Sequence, residues 1–174
     1  LIDDWDVEAA EQFTDSLLKK HPKSGDVYFL KARVEFLKGH HELAAKILNQ
    51  VTGNHSEVRE FKSLVNNTFE ETKLFTSSES EHFIYRYKKG PDEILVHYAT
   101  EVLEKSYKTL GEIFNYYPKE KVLVEFYPDR ESFSRISPLT LDNITTSGTV
   151  ALCKYNRIMM ISPGSLVRGY NWMD

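Results

Sequence analysis

The stretch GHHELAAKILN, Gly39 to Asn49, sets His40, His41 and Glu42 side by side in a segment with helical spacing. Residues of these types can hold zinc and move protons. In the H-E-x-x-H arrangement, two histidines four residues apart put both imidazoles on one helical face, with the glutamate beside them as general base. Here the residue four after His41 is Ala45 and the residue four after His40 is Ala44. Neither histidine has a partner at the required offset, so both are read as solvated histidines of an exposed turn.

The remaining reactive groups are scattered. His82 begins an alternating segment and His97 lies on the polar flank of a helical one, which suits surface or packing roles. Cys153, the single cysteine, sits in an alternating segment without a histidine nearby and is expected to be a buried, inert thiol. One cysteine excludes an internal disulfide. Neither G-x-x-x-x-G-K-S/T nor G-x-G-x-x-G occurs, so nothing in the sequence cradles a phosphate. Asp129, Arg130 and Glu131 fit a helix start better than a catalytic group. No residue is assigned a catalytic role and none a metal.

Composition narrows the classes further. The 174 residues are 41% hydrophobic and carry a net charge of −4, with a pI near 5.9. That balance gives no general attraction to nucleic acid or an anionic membrane. The aromatic pairs in YRY and NYYP lack a basic stripe and are assigned to the core. No apolar run approaches the ~20 residues that a membrane-spanning helix needs. Three N-x-S/T triplets occur, at Asn54, Asn66 and Asn143, a frequency that chance accounts for. The chain opens at Leu1 without methionine and stops at GYNWMD on what reads as the opening of a helix, so it is taken as an excerpt of a longer protein.

The first half has helical grammar. Val27, Leu30, Val34 and Leu37 form one apolar face, Gly39 stops that helix, and Leu43, Ala44, Ile47, Leu48 and Val51 form a second face. A connection this short folds the two helices into an antiparallel hairpin. A further helix is expected over 56–75, with Ser56 as N-cap. The polar run TSSESE, 76–81, is expected to be the domain boundary. This half resembles the tetratricopeptide repeat, whose period is about 34 residues. Tyr28 and Ala32 fill its first aromatic and first small slot, and Ala44 and Leu48 those of its second helix. Ala10, 34 residues before Ala44, and Pro22 resemble the tail of a preceding repeat. Lys31 and Glu35 depart from the pattern, standing where the repeat has leucine and tyrosine.

After Glu81 the period becomes two. HFIYRYK is a half-buried strand, Gly90-Pro91-Asp92-Glu93 opens a long amphipathic helix that ends near Asn115, and KVLVEFYP is a second strand. A short helix follows Pro128. SGTVALCK and RIMMISP read as a hairpin around Lys154-Tyr155-Asn156, and Pro163 leads toward a last helix. KVLVEFYPDRESF, the G-x-A strand and its apolar hairpin partner resemble the peptidase MA-like branch of the gluzincin metallopeptidases, over about residues 81–174. In that family the H-E-x-x-H helix follows next, and no counterpart of it lies in these residues. The resemblance implies that Gly148, Val150, Ala151 and Leu152 line an edge strand to which an extended peptide adds. The alternative is that they are ordinary sheet residues without an exposed edge.

The expected architecture is α+β: helical hairpin repeats over 1–75, then an incomplete α+β domain over 79–174 with a small, mostly antiparallel sheet. By resemblance, the chain is the N-terminal part of a bacterial repeat-containing zinc metallopeptidase. It would supply an interaction scaffold and part of the peptide cleft while being inactive itself, with zinc bound only in the longer parent. Such architectures suit a bacterial cell envelope. The alternative is a non-enzymatic adaptor of the tetratricopeptide type that binds a protein or peptide partner. A further alternative makes the second domain purely structural. No nucleic-acid partner and no membrane insertion are expected, and the oligomeric state is left open.

Overall fold

Four helices follow from their caps and stops. Asp6 accepts a hydrogen bond from the Ala9 amide at 3.0 Å and opens α1, Val7–Lys20. Ser24 does the same for Val27 at 3.5 Å and opens α2, Gly25–Leu37. Gly39 then turns the chain at φ 75°, a conformation that costs glycine nothing, and α3 runs His41–Leu48. The next helix, α4, spans Ser56–Thr72 with His55 rather than Ser56 at the N-cap, and it stops short of Phe75. The computed structural model describes residues 6–165. The chain divides into two units, Leu1–Lys73 and Leu74–Asp174.

Helix α2 is the axis of the first unit. Val27, Phe29, Ala32, Val34, Glu35, Phe36 and Leu37 are all buried, and these positions point in every direction around the helix. Ala32 and Ala44 have no exposed surface, and Ala10 is buried too, so the small residues of the repeat pattern all lie in the helix-packing core. Phe61 of α4 packs edge-on against Phe29 and Phe36, each at 5.5 Å between ring centroids. Such an aromatic trio contributes about 0.5–1.5 kcal/mol per pair beyond the area it buries.

The polar run after Lys73 is a strand, not a linker. Phe75–Glu79 forms β1 and pairs antiparallel with β2, Phe83–Lys88. A strand at the rim of a sheet needs no apolar alternation. One anchor suffices here: the ring of Phe75 sits 5.7 Å from that of Tyr127. Helix α5, Glu93–Phe114, then returns the chain to β3, Val122–Tyr127, which lies parallel to β2. Helices α6, Arg130–Ile136, and α7, Leu141–Ser147, lead to β4, Ala151–Lys154, and β5, Arg157–Ile161. Helix α7 is not legible as a helix in the sequence. The last helix expected after Pro163 lies outside the described residues, apart from a single 3-10 turn over Pro163–Ser165.

The sheet order is β1-β2-β3-β5-β4. Its outer pairings are antiparallel, as expected, and its inner ones are parallel. The sheet is therefore mixed, because each inner neighbour is reached by a helical crossover instead of a turn. Phe83, Tyr85, Val124 and Phe126 face Leu95 and Ala99 of α5. On the opposite face Tyr127, Met159 and Ile161 meet Phe133, Ile136 and Ile144. Fully burying side chains of this size stabilises by about 1.5–3 kcal/mol each.

The β4–β5 connection is two residues long, Tyr155 and Asn156, with φ 56° and 57°. Positive φ at both positions is the type I′ hairpin turn, which matches the twist of the strands it joins. A β-branched residue in the left-handed region is strained by about 1–2 kcal/mol. Asn156→Val is therefore expected to lower stability by about that amount in urea unfolding, and Asn156→Gly to leave it unchanged or raise it.

Candidate functional site

The charged side chains of the first unit gather where α1 meets α2. Lys31 Nζ lies 2.9 Å from Glu35 Oε1, 2.9 Å from Asp15 Oδ1 and 3.5 Å from Glu11 Oε1. Lys38 Nζ reaches both oxygens of Glu11, at 2.7 and 2.6 Å. Glu35, 4% exposed as a residue, receives a second contact from His40 Nδ1 at 2.7 Å. Burial alone would raise the Glu35 carboxyl. Hydrogen bonds from Lys31 and His40, with their charges, outweigh it and hold the group below the ordinary glutamate range. For Lys31, burial pushes down, but Asp15 and Glu35 dominate and carry the ammonium well above its usual value. Lys31 and Glu35 thus replace an apolar contact of the repeat with an ionic one.

The two turn histidines divide. His40 is half exposed and tied to Glu35. His41 is 4% exposed, which corrects the expectation of a solvated residue. Its Nδ1 lies 3.1 Å from Thr72 Oγ1 of α4, and its ring packs at 5.5 Å against Phe36. The hairpin closes over this ring because α4 folds back across it. In the second unit His82 is also engaged. Its backbone amide and Nδ1 meet the two oxygens of Glu104 at 2.9 and 2.6 Å, and its ring stacks on Tyr107 at 3.8 Å. Among the described residues no group of three His, Cys, Asp or Glu side chains could hold a metal ion.

Gly148, Val150, Ala151 and Leu152 fall on the approach to β4 and on its first half. Gly148 ends α7 in the left-handed conformation, φ 69°. The Ile161 amide donates to the Val150 carbonyl at 2.8 Å, which makes Val150 and Ile161 a hydrogen-bonded pair. Antiparallel pairing alternates, so Leu152 and Lys154 also direct their backbone groups toward β5, while those of Ala151 and Cys153 point away. Among the described residues β4 has a strand neighbour on one side alone. Leu152 packs into the Tyr127–Phe133 core. Cys153 is exposed, not buried as expected. It lies near the end of a strand that α5, which packs on β2, leaves clear.

The second unit also holds a buried ionic cluster that sequence periodicity does not reveal. Glu125 of β3 has no exposed surface. The Tyr127 hydroxyl donates to its Oε2 at 2.7 Å, Arg157 Nε of β5 lies 2.9 Å from the same oxygen, and Arg86 of β2 lies 3.6 Å from Oε1. Three neighbouring strands are thus cross-linked on one face. The available signal was a single charge inside each of two apolar runs, VLVEFY and RIMMI.

The model of the family described as Iml2/Tetratricopeptide repeat protein 39 matches residues 2–89. No curated protein and no solved structure matches the chain.

Removing one partner of a buried ion pair costs about 3–5 kcal/mol, whereas replacing both by apolar groups is close to neutral. Glu35→Ala is expected to destabilise the first unit by about 3 kcal/mol, read by amide exchange in α2, and Lys31→Leu/Glu35→Leu to recover most of the loss. Because the Glu35 carboxyl is depressed in the folded state, its contribution is present above the ordinary glutamate range. It is lost as pH falls through the lower, folded value. The double variant is expected to lose less stability than the parent over that acid window.

Proposed function

The chain belongs to the Iml2/Tetratricopeptide repeat protein 39 family, and from that premise we propose that it is a non-enzymatic interaction scaffold whose second unit takes an extended segment of a partner protein along β4. The reading is carried by the alternation at that strand. Ala151 and Cys153 turn their amides and carbonyls away from β5, toward a side with no strand among the described residues. An unpaired row of this kind binds another strand through its main chain and leaves selectivity to alternate side chains. Gly148 gives the strand its entry angle, and Val150 and Leu152 hold it to β5 and to the core beneath. The helical hairpin offers the protein-binding framework common to repeat architectures.

A second reading makes this scaffold the substrate-binding half of a bacterial zinc metallopeptidase whose catalytic groups lie beyond Asp174. It is favoured by one feature: β4 lies at the edge of the sheet, the position that the gluzincin resemblance implies for the strand to which a peptide adds. Zinc in such a parent would activate a water for attack on a peptide carbonyl. Hydrolysis of a peptide by a chain extended past Asp174, abolished by a chelator, supports this reading. A reading frame without H-E-x-x-H downstream removes it.

The docking reading has a test that spares the sheet. Proline at position 151 deletes an amide that faces outward and breaks no bond to β5. With a peptide selected from a displayed random library as probe, Ala151→Pro is expected to weaken binding at least tenfold. Amide protection at Met159 and Ile161 should stay unchanged. Equal affinity for both forms contradicts the proposal.

A further inference from the structure

Helix α5 is longer than the sheet it covers. Its 22 residues make a rod of about 33 Å, whereas the six residues of β2 and of β3 extend about 20 Å. The packed part ends at Tyr107, the last α5 side chain in the core with Phe83, Tyr85, Val124 and Phe126. Steps of three and four residues from Leu103 and Tyr107 lead to Leu110, Ile113 and Phe114, so the same apolar stripe continues past the sheet. There it is uncovered: these three are 49%, 67% and 71% exposed, and Tyr116 and Tyr117 beside them 69% and 47%.

The end of the helix is built, not frayed. Asn115 caps it in the left-handed conformation, and the amides of Asn115 and Tyr116 both reach the Gly111 carbonyl. The Tyr117 ring folds back onto Gly111, where any Cβ would overlap it, and lies 5.6 Å from the Tyr107 ring. The Tyr107 hydroxyl donates to the Pro118 carbonyl at 2.9 Å. Leu110, Ile113, Phe114 and Tyr116 are therefore exposed on a firm base, with one side of the Tyr117 ring forming part of it.

At about 200 Å² per large side chain and the exposures above, the patch presents on the order of 600 Å². That is the upper end for a monomer's largest apolar patch. It also approaches the ~800 Å² that each partner contributes to a standard interface. Helical periodicity turns Lys105, Lys108 and Glu112 to the opposite side of α5, leaving an aromatic centre free of charge, as interface cores are. A lipid surface would call for a basic rim. The lysines that follow the patch are offset by acids, Lys119 by its neighbour Glu120 and Lys121 by Glu79 at 2.8 Å, and the patch sits at the negative end of the helix dipole. We propose that the overhang of α5, Leu110 to Tyr117, is a self-association surface that takes the same overhang of a second copy of this chain. The helices pair antiparallel about a two-fold axis, so that one patch serves both sides.

Sedimentation of the chain across about 1–100 μM tests this. A dimer is expected, and Ile113→Lys/Phe114→Lys is expected to weaken it at least tenfold without changing the circular dichroism, since both side chains are exposed. Glu112→Lys, on the far side of the helix, should leave the dimer intact. A parent chain that stays monomeric throughout overturns the proposal, as does a double variant that dimerises equally well. Binding of monomers to phosphatidylcholine–phosphatidylserine vesicles, lost in the double variant, would also overturn it and assign the patch to lipid.

Discussion

Two parallel strands cannot be joined by a tight turn, and the architecture of the second unit follows from that constraint. To run parallel, β2 and β3 need a connection that travels the length of the sheet, and α5 provides it. The same requirement between β3 and β5 is met by α6, α7 and β4 together. Each crossover covers one face, so the two cores sit on opposite sides of one sheet. Both surfaces of functional interest are by-products of this route. β4 is reached before β5 yet lies outside it, which leaves β4 at the rim. α5 outlasts the strands it bridges, which leaves its final turns uncovered.

Charge is handled alike in both units. The buried carboxylates Glu35 and Glu125 each sit among basic side chains, because a buried ion without a partner is costly. In the first unit Lys31 and Glu35 meet the acids of α1 and the imidazole of His40. In the second, Glu125 meets Arg157, Arg86 and the Tyr127 hydroxyl. Pairs of this kind add little net stability over an apolar replacement, yet losing one partner is costly. For α2, whose buried residues face every direction, Lys31 and Glu35 are the charged positions within an otherwise apolar contact with α1.

Much of this was legible in the residues. Small side chains at Ala10, Ala32 and Ala44 mark buried helix contacts, and Lys154-Tyr155-Asn156 marks a hairpin, although Lys154 belongs to β4 and the turn itself is Tyr155-Asn156. What stayed hidden depended on tertiary neighbours. Nothing local distinguishes the polar residues of β1 from a linker, since the strand is stabilised by β2 and by the contact of Phe75 with Tyr127. His41 is buried by α4, a helix 15 residues downstream, and Cys153 is exposed because the crossover helix lies over β2. For the candidate site, the residues around β4 were named from resemblance. Which of them face outward follows only from the Val150–Ile161 hydrogen bond. The family match covers the helical unit and the first two strands, where the repeat pattern also lay.

The central claim is an open strand edge at β4. Backbone amide exchange of the free chain, resolved by residue along that strand, tests it most directly. Alternation is expected: slow exchange at Leu152 and Lys154, whose amides face β5, and fast exchange at Ala151 and Cys153. Uniform protection across all four would mean that the edge is already occupied, and would contradict it.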